Sequence, residues 1–465
     1  MKKFWKTASR LATLALATKV VLEILKSCRK HKRCYESKTT VDLTDAKFIR
    51  NQVVVWKRPG ISDDVFDEWK RANKPVGVST IKLCDYCDDS LELWQGDNVS
   101  TFISGKGSTV GSSEGGGGLT GGGDDIACFS YNLIIDLPEP DVCVPENEKK
   151  YLRIPPPPDP TGTPITIAVF DTGLDPAIKQ VYTSPVFSCM PGGELGWNFV
   201  DKSDDTTDDH PSRHGSIVSK FIIDQAIKYG KQKINILPVK VHNKLGKSDL
   251  FSILCGFAYA ANCGAKIINA SFGFYASEKS RPPLILSEYV KKHLTDKNIL
   301  LVAAAGNVNA DRSLVALPQL NDIRDLDINP FFPACLSENF DNVMAVTTTS
   351  LAKDAVSPSQ NFSKEIVTIG VKCDLEFAND YRFEDSLNRQ DASGAPIYIL
   401  GSSFATPIVT GIIAQHYLEV ISSMINGSIN KKNLIHTIQQ DIPGLITSGN
   451  NPLDSLITNG NCCEK

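Results

Sequence analysis

No uninterrupted apolar run in the 465 residues reaches the ~18–20 positions that span a bilayer, so a membrane-spanning helix is not expected. There is also no excess of one charge. The 49 Lys and Arg stand against 53 Asp and Glu, a formal net charge of −4. Such a balance argues against a general nucleic-acid binder. The 13 cysteines are an odd number, scattered over a long chain. A small secreted domain framed by disulfides would be shorter and denser in Cys. The glycine-rich stretch Ser104–Gly123 lacks a following Gly-Lys-Ser/Thr, which excludes a P-loop. Apolar residues make up 42% and charged residues 22%. That is enough to bury a core, and it excludes a wholly disordered chain.

What is present divides the chain. Residues 1–46 read as a basic amphipathic leader, with Leu11, Leu14, Ala15, Thr18, Val21, Leu22 and Leu25 at helical spacing. Lys19, Glu23 and Lys26 leave only Leu11–Thr18 as an uncharged stretch, a poor secretory signal. A degenerate signal or an interfacial membrane helix is the alternative. Residues 47–96 read as a small α/β domain. Its strands are Gln52–Trp56, Val78–Leu83 and Leu91–Trp94, and its helix is capped by Ser62 with Asp63 and Asp64 in the first turn. Residues 97–163 read as a linker, flexible through Gly115–Gly118 and stiff through Pro155–Pro158.

Beyond Pro164 buried strands alternate with helices. The apolar runs Ile165–Phe170, Ile234–Val241, Lys266–Ala270, Ile299–Ala304 and Val343–Thr347 suit strands covered on both faces. Helical patterns lie around Leu250–Ala261, Leu286–Leu294 and Val409–Val420. The expected fold is α/β, a mostly parallel central sheet between helices, over 164–440. Residues 441–465 read as a tail. In such folds reactive groups gather at the carboxyl ends of the strands.

Four residues stand where that rule puts a site. Asp171 ends the first buried strand, and a carboxylate there is costly unless bonded. His214 opens a helix over Ile217–Ile227. Ser403 precedes Pro407, which is tolerated in the first turn of a helix, so Ser403 is expected at a helix N-terminus where N–H groups face outward. Asn307 follows a buried strand and offers a neutral amide donor. Each alone reads more readily as a cap, turn or surface residue; the four together, in order, do not.

Their motifs resemble the subtilisin-like serine proteases, the subtilase family. Asp171-Thr172-Gly173, His214-Gly215-Ser216 and Gly401-Ser402-Ser403-Phe404-Ala405-Thr406-Pro407 match the family's three catalytic motifs, in its Asp…His…Ser order. Ala304-Ala305-Gly306-Asn307 resembles the segment with the oxyanion-hole Asn, and Asn269-Ala270-Ser271-Phe272-Gly273 resembles the substrate-binding edge. The resemblance implies a subtilisin-like three-layer fold and a serine endopeptidase. Asp171, His214 and Ser403 are its implied catalytic residues and Asn307 its oxyanion donor. Substrate is implied between Ser271, Phe272, Gly273 and Ala304, Ala305, Gly306. The chain departs from the family at Ser216, at Ser219-Lys220 in place of Ala-Gly, and at Ser402 and Phe404 beside Ser403. None of these removes a reacting group. A silent peptide-binding relative and an esterase are the competing classes. The intact set argues against the first, and the missing final Gly of Gly-x-Ser-x-Gly against the second.

The implied partner is a protein or peptide substrate. The 47–96 domain reads either as a propeptide acting as intramolecular inhibitor or as an unrelated accessory domain. No cofactor is required by the chemistry and no metal ligand set is assigned. Many subtilases bind calcium, and Asp201–Asp209 holds five aspartates, but the spacing fits no EF-hand and also suits a surface turn. Cys84 and Cys87 form a lone CxxC, with Cys28, Cys34, Cys128 and Cys143 as distant candidates for zinc; ordinary thiols are the default reading. Asp311, Asp322, Asp325 and Asp327 suggest a preference for basic side chains. The cysteine count fits a reducing compartment slightly better, although the family is often secreted.

Overall fold

The computed structural model describes residues 48–82, 88–106, 122–137, 162–183, 196–275, 283–307, 324–350, 356–357, 359–363, 365–377, 380–391, 393–441 and 446–447. They belong to one compact unit, Leu43–Lys465. The leader, Cys84 and Cys87, the Gly115–Gly118 and Pro155–Pro158 runs, Asp311, Asp322 and most of the tail lie outside the described residues.

The first sheet is antiparallel. It comprises β1 (Phe48–Lys57), β2 (Ser79–Ile81), β3 (Leu91–Gln95), β4 (Gly122–Gly123) and β5 (Ala127–Asp136), in the order β2-β3-β1-β5-β4. Helix α1 (Asp63–Asn73) is capped by Ser62, whose hydroxyl accepts from the Val65 N–H, and it buries Phe66 and Trp69. Helix α2 (Val99–Lys106) follows β3. The small domain therefore does not stop at residue 96. The stretch expected as linker supplies α2 and the strand beside β1, with Val54 opposite Ser130 and Val55 opposite Phe129. The apolar residues Phe129, Leu133 and Ile135 of β5 are buried, which a solvated linker could not provide.

The second sheet carries β6 (Ile165–Asp171), β7 (Trp197–Asn198), β8 (Ile234–Lys240), β10 (Ile267–Ala270), β12 (Leu300–Ala304), β14 (Val343–Thr349), β15 (Val367–Lys372) and β19 (Ile446–Thr447). Its order is β19-β15-β14-β12-β10-β6-β8-β7, parallel throughout except at β19. The stretch expected as a tail thus adds one edge strand. Strand β9 (Lys247–Asp249) leaves this body and pairs with β5. Short pairs β11 (Phe274–Tyr275) with β13 (Phe331–Phe332), and β16 (Leu375–Phe377), β17 (Asp380–Glu384) and β18 (Tyr398–Leu400), complete the strands.

Helices cover both faces. Ile165, Ile167 and Val169 of β6 point to a core shared with α4 (His214–Tyr229) and α7 (Ser402–Gln415), while Ala168 and Phe170 point to a core shared with α5 (Leu250–Asn262) and α6 (Leu284–His293). Helix α3 (Pro176–Tyr182) follows β6, and α8 (Tyr417–Ser422) and α9 (Lys431–Ile438) follow α7. Helices α4 and α7 cross closely at Gly411, where a Cβ would lie 2.8 Å from the Ile222 carbonyl oxygen. The chain leaves β6 toward β8 and returns to β10 on its other side. The carboxyl end of β6 is therefore the switch point where a ligand crevice forms.

The core around α5 and α6 is continuous with that of the first sheet, and Trp56, Trp94, Phe251 and Tyr289 are all fully buried in it. A polar joint crosses it. His293 Nε2 lies 2.8 Å from Asp88 Oδ2, which also accepts from Trp56 Nε1 at 3.0 Å. The ring of Tyr289 sits 4.2 Å from His293 and 5.2 Å from Trp56. Burial works against ionised Asp88, but the hydrogen bonds from His293 and Ser90 outweigh it and hold the carboxyl well below its usual range. His293→Ala leaves that carboxylate short of a partner. In a double-mutant cycle with Asp88→Asn, thermal or denaturant unfolding should return a coupling of about 1–3 kcal/mol. Additive losses would show that the joint carries no stability.

Candidate active site

Asp171 ends β6 and is buried. Its Oδ1 accepts from the Thr172 N–H at 2.7 Å, and His214 Nδ1 lies 2.8 Å from Oδ1 and 3.0 Å from Oδ2. Helix α4 can bring His214 this close because residue 215 is glycine. A Cβ there would fall 2.3 Å from the Gly173 carbonyl oxygen. Arg213, in the left-handed region at φ 57°, turns the chain into the helix and pairs with Asp175.

The two buried groups titrate against each other. Burial alone would raise the Asp171 carboxyl, but the His214 charge and hydrogen bond hold it below the ordinary value. Burial alone would lower His214, but the Asp171 charge raises it. His242 lies behind Asp171, and burial pushes it down to about 3. It stands there as a neutral ring 5.2 Å from Phe272.

Ser403 lies in the first turn of α7, as expected, but Pro407 is in the second turn. The consequence is local. Pro407 has no N–H to give the Ser403 carbonyl four residues back. That carbonyl accepts instead from Ser271 Oγ at 2.7 Å. Ser403 Oγ in turn donates to the Ser271 carbonyl at 3.0 Å. Asn269 Nδ2 donates to Ser271 Oγ at 2.9 Å, and Thr410 Oγ1 donates to Asn269 Oδ1 at 2.9 Å. The Phe404 ring, next in sequence to Ser403, packs 5.1 Å from the His214 imidazole. The residue after Ser403 thus packs on His214, while the Ser403 hydroxyl itself points to Ser271. The buried His214 Nε2 has no hydrogen-bond partner among the described residues.

Asn307 Oδ1 accepts from Ser402 N at 3.0 Å and from Ser402 Oγ at 3.1 Å. Anchoring the oxygen leaves Nδ2 as the donating end. Ser402 N also donates to the buried Gln360 Oε1 at 2.6 Å, and Ser402 Oγ accepts from Gly306 N at 3.0 Å. Ala304 and Ala305 are buried in the floor beneath.

The family model described as "Subtilase family" matches residues 162–448. The chain belongs to the subtilase family. It is 36% identical over 112 residues to the cell wall-associated protease of Bacillus subtilis (strain 168), across 23% of this chain and 12% of that one. It is 25% identical over 264 residues to subtilisin-like protease 1 of Plasmodium berghei (strain Anka), across 55% of this chain and 39% of that one. The matched stretch is therefore well under half the length of either relative. The crystal structure of fervidolysin from Fervidobacterium pennivorans, a keratinolytic enzyme related to subtilisin, shares the fold. Its TM-score is 0.51 at 15% identity, covering 89% of this chain and 62% of that one.

Several supports of this subtilase site were invisible in the motifs. Asp208, read as part of an acidic surface loop, is buried. It accepts from Thr172 Oγ1 at 2.9 Å, Ser216 N at 2.9 Å and Ser216 Oγ at 2.7 Å. It therefore ties the residue after Asp171 to the helix that carries His214. Asp209 is paired with Lys240 at 2.5 Å, and Asp201 accepts from Asn198 Nδ2 at 3.1 Å. Among the described residues no three His, Cys, Asp or Glu side chains come together as a metal-holding group. Cys128 is a buried thiol that burial pushes up to about 12. Cys263 is disulfide-bonded. Asp325 Oδ1 accepts from the Asp327 N–H, and Asp327 Oδ1 accepts from Ser363 Oγ at 2.8 Å. Among the described residues no helix is long and apolar enough to cross a membrane.

The Asp171–His214 coupling predicts an imidazole midpoint above the ordinary ~6.5 in an NMR titration. Asp171→Asn should move it below that value, because burial then outweighs the smaller remaining attraction of Asp208. A midpoint indifferent to the substitution would show that the carboxylate does not set the histidine's charge.

Proposed function

We propose that the chain is a serine endopeptidase working through Asp171, His214 and Ser403 by way of an acyl-enzyme. The observation that carries this reading is the buried Asp171–His214 pair, with Ser403 in the first turn of a helix whose next residue, Phe404, packs on the His214 ring. The bond from Asp171 keeps the proton on Nδ1, so Nε2 is the basic nitrogen. On substrate binding the Ser403 hydroxyl turns from Ser271 to Nε2. His214 takes its proton as Oγ attacks the peptide carbonyl. The charge that develops on the carbonyl oxygen meets Asn307 Nδ2 and the Ser403 N–H. His214 then protonates the leaving amine, and water releases the acyl group by the same steps in reverse. The Asp171 carboxylate stabilises the imidazolium in both halves. Ser403→Ala should abolish peptide hydrolysis and labelling by a fluorophosphonate probe while leaving the unfolding midpoint within a degree or two. Wild-type turnover by that variant would sink the assignment.

The N-terminal domain acts in this reading as an intramolecular inhibitor. Its strand β5 pairs antiparallel with β9, Ile134 opposite Asp249 and Asp136 opposite Lys247, and the ladder continues with the Leu137 N–H donating to the Gly246 carbonyl at 2.7 Å. A Cβ on Gly246 would lie 3.2 Å from Leu137 Cβ and 3.5 Å from His210 Nε2, four residues before His214. An extended chain held by an edge strand beside the catalytic histidine is the binding mode of a peptide substrate. Cleavage beyond Leu137 would leave β5 in place as a product-like occupant. Leu137→Asp weakens that seat, and it should raise peptidase activity of the full chain by ~10-fold or more. Mass spectrometry of wild type against Ser403→Ala reports whether the chain cuts itself. Identical intact masses together with full wild-type activity would remove the inhibitor role.

A further inference from the structure

Two glycines flank the place where the acyl residue of a substrate would enter. Gly306 immediately precedes Asn307, and Gly273 lies two residues beyond Ser271, whose carbonyl accepts Ser403 Oγ. In the proposed mechanism, a residue with its carbonyl carbon at Ser403 Oγ and its oxygen at Asn307 Nδ2 would have its side chain between these two stretches of main chain. Bare glycine backbone on both sides would suit a slot for a large side chain. The slot is occupied. A Cβ built on Gly273 would lie 2.2 Å from Phe331 Cε1 and 2.5 Å from Cζ. One built on Gly306 would lie 2.9 Å from both Cδ1 and Cε1 of the same ring. One aromatic ring therefore touches both walls.

The ring is also held. Strand β13 sets Phe331 opposite Tyr275 of β11, and their rings meet edge-on at 4.9 Å. Tyr275 Oη donates to Asn361 Oδ1 at 2.9 Å, and Asn361 Nδ2 donates to the Ala305 carbonyl at 2.9 Å. Swinging Phe331 aside means displacing a tyrosine that is tied to the wall itself, and close-packed interiors resist such a change.

We propose that Phe331 closes this slot and restricts the residue on the acyl side of the scissile bond to Gly, Ala or Ser. The proposal rests on the serine-endopeptidase reading. It also leaves no room for the long basic side chains that the aspartates near residue 325 suggested.

The test is a series of peptide p-nitroanilides identical except for the acyl residue (Gly, Ala, Ser, Leu or Phe). The series is given to the full chain and to its Leu137→Asp variant, alongside fluorophosphonate labelling of Ser403. The expected result is kcat/KM after Ala or Gly exceeding that after Leu or Phe by ~100-fold. Phe331→Gly should raise the rate after Leu and Phe by ~10-fold or more, and the milder Phe331→Ala should move it in the same direction. The wild-type profile decides alone if both variants fail to fold. Labelling of Ser403 with hydrolysis after Leu or Phe as fast as after Ala overturns the slot assignment and leaves the peptidase standing. Labelling with no turnover of any member does the same. Neither labelling nor turnover overturns the peptidase reading, and the slot assignment with it.

Discussion

A carboxylate at the inner end of a fully buried strand has no water to lean on, and Asp171 is that carboxylate. Its stability as a charge depends on the Thr172 N–H and on the His214 imidazole. Meeting that requirement dictates much around it. Helix α4 has to start against the end of β6, so residue 215 has to be glycine. The first turn of that helix has to be fixed, and Asp208 fixes it by bonding Thr172 and Ser216 together. Asp208 is itself a second buried carboxyl, and burial pushes it up despite its hydrogen bonds. The site is thus built on two buried carboxyl groups with unlike surroundings. One faces an imidazole, and the other is enclosed among hydroxyl and amide donors.

The serine side obeys a different constraint. Pro407 removes one helical hydrogen bond, and the orphaned Ser403 carbonyl is satisfied from outside the helix by Ser271. The exchange runs both ways, since Ser403 gives its own hydroxyl to Ser271. One proline therefore ties α7 to the strand end at β10, and the Ser403 hydroxyl points the same way. The Thr410–Asn269–Ser271 chain behind it keeps its members bonded where all three are buried.

The N-terminal sheet is joined to the peptidase body in two physically distinct ways. Over α5 and α6 the contact is an apolar core interrupted by the Asp88–His293 joint. At β9 it is a backbone ladder, indifferent to side-chain identity. The first favours lasting association, and the second holds an extended segment by main-chain pairing alone. The same logic of main chain against main chain operates at Gly273 and Gly306, except that there a phenylalanine takes the space.

The chain order of Asp171, His214, Asn307 and Ser403 was legible because each lies in a short motif at the end of a strand or the start of a helix. Local pattern is enough to recognise such places. The α/β alternation was legible for the same reason, since buried parallel strands are continuous apolar runs. Asp208, Gln360 and the role of the Ser271 hydroxyl were not legible, because their partners lie 8, 42 and 132 residues away. The extent of the small domain was also hidden. Glycine-rich flanks made β5 look like part of a linker, and only its pairing with β1 and β9 shows otherwise. By itself the sequence determined the family and the fold class and singled out the candidate reacting groups, all of which rest on local pattern. Tertiary structure alone decided where Ser403 points, what occupies the edge strand and what fills the slot between the two glycines. Those depend on which distant side chains share one small volume.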